Sequence, residues 1–464
     1  MSGSGIAAQD LVAADQRLLW HPFTQTEEWL SYQPLIVDSA DGFFLIDHEG
    51  RRYLDGVSSI WCNVHGHDQA EITRALHEQI DRVCHSTLLG LSHRPAIELA
   101  ERLVAITPDG LDRVFYSDSG STAVEVAIRM AFQYWRQTGK PGDMARDRFI
   151  TLREAYHGDT LGSVSLGRSS PFHIGYEAIT FEVEKFAPPY LCQPINGHGP
   201  VEPELLEAAG ANSLAALEET LEANRGRVAA VVIEPLVQGA AGIWPQPVSF
   251  LSGLRRLCDS HGILMVADEV ATGFGRTGTM FACEQAGISP DIMCLAKGLT
   301  AGYLPLAATL ASGRVFEAFS GAYSEYRTLF HGHTYGGNPL GCAAAIANLE
   351  VFEHQDTLAT ANERGQLFGR LLDEHIVPLA HAGPPRRVGM MAAFDILRNT
   401  DTGQAFGTDE RRGNRAVLEA RKDGVIIRPL GDTMVLMPPL NIPPELLGRI
   451  VETTATAVAR ATSD

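Results

Sequence analysis

Two apolar runs near the middle of the chain, Ile263-Leu-Met-Val-Ala267 and Ile292-Met-Cys-Leu-Ala296, decide its fold class. The first run is followed directly by Asp268 and the second by Lys297. Short apolar runs without polar alternation are typical of strands that are covered on both faces, as in a parallel sheet. We therefore expect two buried strands, each with a chemically useful side chain just beyond its carboxyl end.

The same pattern continues upstream of these runs. Phe149-Ile-Thr-Leu152 and Val228-Ala-Ala-Val-Val-Ile233 are also almost continuously apolar, and helical stretches such as 250–259 lie between the runs. This alternation predicts an α/β fold with a mostly parallel sheet. The C-terminal part differs, because 424–429 and 433–437 predict a hairpin and a helix is expected after Pro444.

These differences along the chain suggest its division into domains. We predict an N-terminal segment over 1–65 that contributes to a smaller domain and to the wall of the site. A large cofactor-binding domain over 66–344 and a smaller α+β domain over 345–464 would follow. Two polar stretches, 138–148 and 187–213, are expected to be surface connections.

The composition limits the classes of partner. The chain has 464 residues and a formal net charge of −19, with 37 basic against 56 acidic residues. We therefore expect neither a nucleic acid nor an anionic membrane surface as partner. The seven cysteines are scattered without a CxxC pair, and residues 1–20 lack the regions of a signal peptide, which together predict a cytoplasmic location. The charge-free stretch between Lys297 and Arg314 is too short and too interrupted by glycine and proline to span a bilayer.

A turn of small residues, Ser117-Asp-Ser-Gly-Ser121, follows the strand-like Val114-Phe-Tyr116. The helix that it enters has its apolar positions on one face, namely Val124, Ala127, Ile128, Ala131 and Trp135. The N–H groups and the positive dipole end of such a helix N-terminus bind anions such as phosphate. An ordinary helix N-cap is the alternative interpretation of this stretch.

Asp268 and Lys297 suit the same cofactor as this phosphate cradle. Ligands of open α/β sheets bind beyond the carboxyl ends of the strands, where Asp268 would meet a cationic group. A lysine removed from water has a lowered pKa and becomes a nucleophile that can hold an aldehyde. Together the three features predict pyridoxal 5'-phosphate, with the aspartate keeping the pyridine nitrogen protonated. Taken singly, Asp268 could be a helix cap or an ion-pair partner, and Lys297 a solvated surface charge.

Two other patterns favour different chemistry. Gly273-Phe-Gly-Arg-Thr-Gly278 matches the GxGxxG of dinucleotide-binding folds and would suggest a nicotinamide-dependent dehydrogenase. No helical run opens at its third glycine, which argues against that fold. His65-Gly-His67 and His331-Gly-His333 are expected in turns rather than at a zinc ion, because no cysteine or HExxH motif accompanies them. A non-catalytic binding protein would have no need of a buried lysine beside a strand-end acid.

The chain resembles the class III aminotransferases of fold type I, and the resemblance covers nearly its whole length. It is carried by the block from Asp268-Glu-Val270 to Gly278 and by Lys297. Narrower matches resemble the branch that makes 7,8-diaminopelargonate in biotin synthesis, and they include Trp20-His-Pro-Phe-Thr24, Ser58-Ser-Ile-Trp61, Tyr156-His-Gly-Asp-Thr160, Val237-Gln-Gly239, His331-Gly-His-Thr334 and Arg428-Pro-Leu430. The resemblance implies a homodimer that aminates 7-keto-8-aminopelargonate by a ping-pong mechanism. Another class III enzyme, acting on an ω-amino acid, is the alternative.

The resemblance also implies roles at the cofactor. Lys297 would hold the cofactor and then move the proton between the substrate Cα and the cofactor. Asp268 would pair with the pyridine nitrogen, and Gly120 and Ser121 would bind the phosphate. Thr334 would reach the phosphate from the partner subunit, so that the active sites are shared.

Further residues are implied around the ring and the substrate. Tyr156 would stack on one face of the cofactor ring and Val270 would lie against the other. Arg428 would clamp a substrate carboxylate with a bidentate contact. Trp61 would form an apolar wall for the long keto acid, and Arg276 would help to position the substrate.

Two departures from the family pattern concern the amino donor. Members that use S-adenosylmethionine have tyrosine at the position of Phe23 and a second tryptophan at that of Ile60. The runs 330–335 and 428–432 also resemble the branch that takes its amino group from lysine. The donor is therefore expected to be S-adenosylmethionine or lysine, with Phe23 and Trp61 among the residues that contact substrate.

Overall fold

The computed structural model describes residues 8–138, 140, 142–167, 172–192 and 203–463. These residues form fifteen α-helices and nineteen β-strands. The helices are α1 (Ala8–Leu18), α2 (Thr26–Ser31), α3 (Ser58–Trp61), α4 (Ala70–Arg82), α5 (Arg94–Ile106), α6 (Gly120–Gln137), α7 (Leu161–Gly167), α8 (Pro203–Ala223), α9 (Val248–His261), α10 (Ala282–Gln285), α11 (Gly313–Glu317), α12 (Pro339–His354), α13 (Thr357–His375), α14 (Arg412–Lys422) and α15 (Pro444–Ala461). The strands are β1 (Val37–Asp41), β2 (Phe44–Asp47), β3 (Arg52–Asp55), β4 (Leu111–Ser117), β5 (Arg148–Leu152), β6 (Glu184–Phe186), β7 (Val228–Ile233), β8 (Val237–Gln238), β9 (Trp244–Pro245), β10 (Leu264–Asp268), β11 (Ile292–Leu295), β12 (Ala307–Ser312), β13 (Arg386–Val388), β14 (Met391–Asp395), β15 (Leu397–Asn399), β16 (Gln404–Ala405), β17 (Val425–Ile426), β18 (Arg428–Leu430) and β19 (Thr433–Leu436).

A seven-stranded sheet forms the centre of the molecule, in the order β4-β12-β11-β10-β7-β5-β6. The pairs from β11 to β6 are parallel, whereas β12 runs antiparallel to both β11 and β4. This confirms the predicted α/β fold with its mostly parallel sheet. Strand β12 was not predicted, because Ala307-Ala-Thr-Leu-Ala-Ser312 consists mainly of small residues with little strand character.

Helices cover both faces of this sheet, as its continuous apolar strands require. Successive residues of β7 illustrate the arrangement, since Val232 packs in the cluster of α6 while Val231 and Ile233 pack in the cluster of α8 and α9. The predicted apolar face of α6 is buried, which confirms that helix. The helix predicted over 250–259 is also present, as α9.

The C-terminal prediction is partly wrong. The hairpin exists, with β18 antiparallel to β19, but 424–429 is not one strand. Its first part, β17, pairs instead in parallel with β3, in the sheet β1-β2-β3-β17. The chain crosses between the two sheets at the buried Ile427, and an apolar run cannot reveal which sheet each residue joins. The helix expected after Pro444 is confirmed as α15.

One of the two expected surface connections contains a long helix. The stretch 187–213 is predicted to be a connection, but α8 begins at Pro203, and residues 193–202 lie outside the described part. Several alanines and leucines after Pro203 bury one side of this helix against α9. In the part of the chain that the structure describes, no helix is long and apolar enough to cross a membrane.

Candidate active site

A cavity of about 430 Å³ lies at the carboxyl end of the central sheet. It is lined by the ends of three adjacent parallel strands, with Glu234 after β7, Asp268 at the end of β10 and Lys297 just beyond β11. The N-terminus of α6 borders it with Gly120 and Ser121. This is the place where open α/β sheets bind ligands, because loops diverge from the strand ends there.

Lys297 has an unusual backbone. Its φ of 43° lies in the left-handed region, which non-glycine residues rarely adopt. The side chain lines the cavity, with Nζ 5.2 Å from the centroid of the Trp61 ring. No hydrogen-bond or ion-pair partner of Nζ occurs among the described residues. Burial lowers the pKa of Lys297, although Asp268 and Glu234 oppose this, so the nucleophilic neutral amine forms more readily than on a solvated lysine.

Asp268 is fixed by two hydrogen bonds. Its Oδ1 accepts the main-chain N–H of Val270 at 3.1 Å, and its Oδ2 lies 2.7 Å from Nδ1 of His157. The other ring nitrogen of His157 lies 3.2 Å from the hydroxyl of Thr151. If the Thr151 hydroxyl donates to Nε2, then Nδ1 carries the proton that the carboxylate accepts. This leaves an oriented, negatively charged group at the bottom of the cavity.

The N-terminus of α6 has the geometry of an anion site. Ser119 caps the helix, and its side chain exchanges hydrogen bonds with Thr122. The amides of Gly120 and Ser121 belong to the first turn, where the helix supplies no acceptor. A Cβ at position 120 would lie 2.5 Å from Cγ1 of Val270, so only glycine lets the two segments approach this closely.

Two aromatic side chains form walls of the cavity. Tyr156 stacks on His173 with ring centroids 5.7 Å apart, and its hydroxyl donates to Asp159 at 2.7 Å. Burial raises the pKa of Tyr156, which keeps the phenol neutral. Trp61 is 8% exposed, with a φ of 69° and a buried Nε1 that has no partner in the described part of the chain.

Sequence reasoning missed two residues of this site. Glu234 follows the apolar strand β7 just as Asp268 terminates β10, so the same signal would have found it. Its carboxylate is almost completely buried, and burial raises its pKa to about 7. His157 stood inside a motif quoted above, but nothing in the sequence indicated that it would contact Asp268.

Seven of the predicted site residues line the cavity, and four do not. The seven are Trp61, Gly120, Ser121, Tyr156, Asp268, Val270 and Lys297. Phe23 is 57% exposed and contacts Phe172 edge-to-face at 5.8 Å, and Thr334 is exposed on this single chain.

The two predicted arginines lie behind or beside the cavity. Arg276 is fully buried, and its guanidinium donates to the carbonyls of Pro438 at 2.6 Å and Asn63 at 2.9 Å. The hydrogen bonds of Arg276 in the structure are thus made to main-chain carbonyls. Its contact with the substrate stays a prediction. Arg428 is half-buried beside Tyr156 and has no ion-pair partner among the described residues.

The residues of the GxGxxG match and of the paired histidines have packing and hydrogen-bonding roles in the fold. Gly273–Gly278 forms a turn without a helix at its third glycine, and its Phe274 packs so closely that a Cβ at Gly298 would lie 2.8 Å away. His65 bonds to Asn348 in the core, and His333 pairs with Asp118. Within the described ranges, no group of three or more potential metal ligands occurs.

The residues present fit pyridoxal phosphate. A lysine with a lowered pKa, an oriented carboxylate and a row of first-turn amides surround one cavity, and each would meet a different group of that cofactor. The phosphate would lie at Gly120 and Ser121, the pyridine nitrogen at Asp268, and the aldehyde at Lys297. Tyr156 and Val270 would lie on either side of the ring.

Comparison with known proteins gives consistent results. The family model for class III aminotransferases matches residues 27–458. An adenosylmethionine-8-amino-7-oxononanoate aminotransferase from Nitratidesulfovibrio vulgaris is 52% identical over 454 residues, which cover 97% of this chain and 82% of that protein. The crystal structure of an enzyme with the same name from Methanocaldococcus jannaschii superposes with a TM-score of 0.90 at 38% identity, covering 97% of this chain and 99% of the other. An amine transaminase from an uncultivated Pseudomonas species, solved in its PLP-bound form, superposes with a TM-score of 0.86 at 35% identity, covering 96% of this chain and 99% of the other.

Proposed function

The chain belongs to the class III aminotransferases and uses pyridoxal 5'-phosphate, and we propose that it converts 8-amino-7-oxononanoate to 7,8-diaminopelargonate in biotin synthesis. Family membership confirms the resemblance seen in the sequence and makes the dehydrogenase alternative wrong. The observation that carries the proposal is the free Lys297 amine opposite Trp61 and beside Asp268, in one cavity at the sheet edge. Relatives with this activity in their names support the choice of substrate.

The residues of the cavity divide the work of amino transfer. When bound, pyridoxal phosphate supplies an electron sink for the substrate Cα–H bond and a carrier for the amino group. Lys297 would hold the cofactor aldehyde and, once released, would carry the proton that leaves the substrate Cα. Asp268 would keep the pyridine nitrogen protonated, and His157 fixes the orientation of that carboxylate.

The substrate side of the proposal rests on charge and shape. Arg428 binds the substrate carboxylate, because its guanidinium is desolvated and lacks an acidic partner in the described part of the chain. The apolar chain of the keto acid packs along Trp61 and Ile60, both of which line the cavity. Two more residues are proposed to contact the substrate. Phe23 would do so from the N-terminal segment, and Arg276 from behind the cavity.

We propose S-adenosylmethionine as the amino donor, as in the names of the relatives. Phe23 and Ile60, which replace a tyrosine and a tryptophan of other members, are then tolerated replacements. Lysine is the second candidate donor, because the runs 330–335 and 428–432 resemble the branch that uses it. The two donors make different demands on the site, since S-adenosylmethionine must place an adenosyl group in it.

We also propose a homodimer with shared active sites. Thr334 is exposed on the single chain and would reach the phosphate of the partner's site. Nearby, Leu89 is 89% exposed and Tyr335 63% exposed, and the ring of Tyr335 contacts His85. Exposed apolar groups of this size on adjoining segments are typical of a protein interface. A cytoplasmic location and the domain boundaries 1–65, 66–344 and 345–464 belong to the same proposal.

The overall reaction tests this function. Enzyme loaded with pyridoxal phosphate is incubated with 8-amino-7-oxononanoate and either S-adenosylmethionine or lysine, and the diamine is measured by mass spectrometry. Formation of 7,8-diaminopelargonate with one of these donors is expected. Absence of the diamine, together with rapid transamination of an ω-amino acid, would instead favour the broader class III activity.

A further inference from the structure

Glu234 joins two walls of the cavity through its side chain. Its Oε1 accepts the main-chain N–H of Tyr156 at 3.1 Å, and its Oε2 accepts that of Gly239 at 2.9 Å. The two amides belong to segments that are far apart in the sequence. One carboxylate therefore fixes the distance between them.

Both segments line the cavity, one with the aromatic ring of Tyr156 and the other with Ala240, which follows Gly239. Gly239 begins the turn between β8 and β9, and a Cβ there would lie 3.3 Å from the Trp61 ring, so the turn backs the other aromatic wall. Any displacement of Gly239 thus changes the space beside Trp61, and any displacement of Tyr156 changes the space above the cofactor.

The surroundings of Glu234 contain no dedicated counter-ion. No lysine or arginine forms an ion pair with its carboxylate among the described residues, although it lines the cavity beside Lys297. The titratable groups that interact with it are His157, Asp268, Lys297, Tyr156 and Tyr190. A buried charge held only by two amides is costly for stability, which points to a role in function.

We propose that Glu234 is a positioning residue for amino transfer, whose carboxyl group holds the Tyr156 wall and the Gly239 turn at the separation that the cofactor and substrate require. This inference rests on the proposed function only for the identity of the substrate. A carboxylate suits this task because each of its two oxygens can accept one of the main-chain N–H groups. A glutamine side chain has only one acceptor oxygen, so its NH₂ group would face the second N–H, and two donors cannot form a hydrogen bond.

The test compares Glu234→Gln with a matched control, Glu269→Gln. Glu269 is equally buried and also accepts two main-chain amides, of Ala282 and Cys283, but it does not line the cavity. The dissociation constant of pyridoxal phosphate is measured on each apoenzyme by quenching of tryptophan fluorescence. The pH midpoint of the visible absorbance change is measured on each loaded enzyme.

Glu234→Gln is expected to weaken cofactor binding about tenfold or more, the effect of losing a hydrogen bond to a charged group. It should also move the absorbance midpoint to lower pH, because the carboxylate stabilises the positive charge at Lys297. Glu269→Gln should leave both values within about twofold, while costing similar stability. Unchanged values in Glu234→Gln, or equal changes in both variants, would overturn the proposal.

Two further controls keep the result decisive. If Glu234→Gln does not accumulate as folded protein, Glu234→Asp is measured instead, because its shorter side chain keeps the charge but cannot reach both amides. Cofactor binding should again weaken about tenfold or more, whereas the absorbance midpoint should change little because the charge remains, and unchanged cofactor binding would overturn the proposal. Neither readout uses the keto acid. Failure to aminate 8-amino-7-oxononanoate in the wild type would therefore refute the proposed substrate without touching the role of Glu234.

Discussion

Burial influences the charge states of the side chains that we propose as the site. Burial lowers the pKa of Lys297 toward the neutral amine that attack on an aldehyde requires, and it raises the pKa of Tyr156 so that the phenol stays neutral. Arg428 stays cationic despite its desolvation, because the pKa of a guanidinium lies far above neutrality. Each of these residues makes a separate testable contribution.

Replacing Lys297 by alanine should abolish turnover. The variant loses both the group that holds the cofactor and the proton carrier, and we expect a loss of at least about a thousandfold in kcat. Steady-state diamine formation measures this, and retained noncovalent cofactor shows that the site is intact. A variant with full activity would end the hypothesis.

Replacing Arg428 by alanine should weaken binding of the keto acid. The expected cost is about 2 to 5 kcal/mol, because a buried substrate carboxylate would be left without its partner. The KM for 8-amino-7-oxononanoate measures the effect. The KM of Arg428→Lys should lie between those of wild type and the alanine variant, because lysine keeps the charge but cannot make the bidentate contact. An unchanged KM in the alanine variant would show that Arg428 does not bind that carboxylate.

Glu234 should make folding stability depend on pH. Its pKa is raised from 4.5 to about 7 in the folded protein, so the folded state binds more protons than the unfolded state between these values. The corresponding stability is fully present below the unfolded pKa and is lost as pH rises through the folded pKa. The free energy of unfolding of Glu234→Gln, taken relative to that of wild type, should therefore increase by up to about 3 kcal/mol between pH about 5 and pH about 8, whatever the cost of the lost hydrogen bond at pH about 5.

Thermal unfolding of the apoenzymes at these two pH values measures the difference. Glu204→Gln serves as the control, because the Glu204 side chain is exposed and lies outside the cavity. An identical pH response of wild type and Glu234→Gln would contradict the account of this buried carboxylate.

At the scale of elements, three strand ends and one helix start build the site. The carboxyl ends of β7, β10 and β11 lie side by side in the sheet, so Glu234, Asp268 and Lys297 meet although they are distant in sequence. The N-terminus of α6 approaches from beyond β4 and contributes amides rather than side chains. Close packing of α6 on Val270 is what brings those amides to the cavity.

Gly120→Ala should damage this junction. The new Cβ would lie 2.5 Å from Val270, so the helix start must move away from the phosphate position. We expect cofactor binding to weaken about tenfold or more, consistent with loss of charge-assisted hydrogen bonds to phosphate. Gly448→Ala, in the second turn of α15, is the control, because its Cβ would meet only Oε1 of Glu452 at an ordinary contact distance of 3.9 Å, and it should not change the dissociation constant.

The elements show what could be predicted from the sequence. Continuous apolar runs identified β5, β7, β10 and β11, because a parallel strand that is covered on both faces is apolar at nearly every position. The small residues of β12 gave no such signal, and the split between β17 and β18 depends on pairing with distant strands. The role of His157 likewise depends on a contact across 111 residues of sequence.

At the scale of the whole molecule, one chain does not display the complete set of predicted site residues. Seven of them line the cavity, whereas Thr334 lies exposed on a segment with aromatic neighbours. The family resemblance implies a place for Thr334 in the partner's site, and we propose that a second copy of the chain brings it to the phosphate there.

Mixed dimers can test this sharing directly. Lys297→Ala and Thr334→Ala subunits are prepared separately, then unfolded and refolded together. If Thr334 acts in the partner's site, each mixed dimer contains one site with Lys297 and Thr334 both intact, and activity should exceed that of either variant alone. No gain on mixing would place Thr334 in the site of its own chain or outside any site.

The half-reactions of the loaded enzyme test the central claim most directly. The visible absorbance of enzyme with pyridoxal phosphate is followed on adding S-adenosylmethionine or, separately, lysine, and then 8-amino-7-oxononanoate. We predict conversion to the pyridoxamine form with S-adenosylmethionine, and return of the original absorbance with the keto acid as the diamine appears. Conversion with lysine alone would change the donor and leave the acceptor half intact. If 8-amino-7-oxononanoate fails to restore the absorbance after either donor, this chain is not the enzyme that makes 7,8-diaminopelargonate.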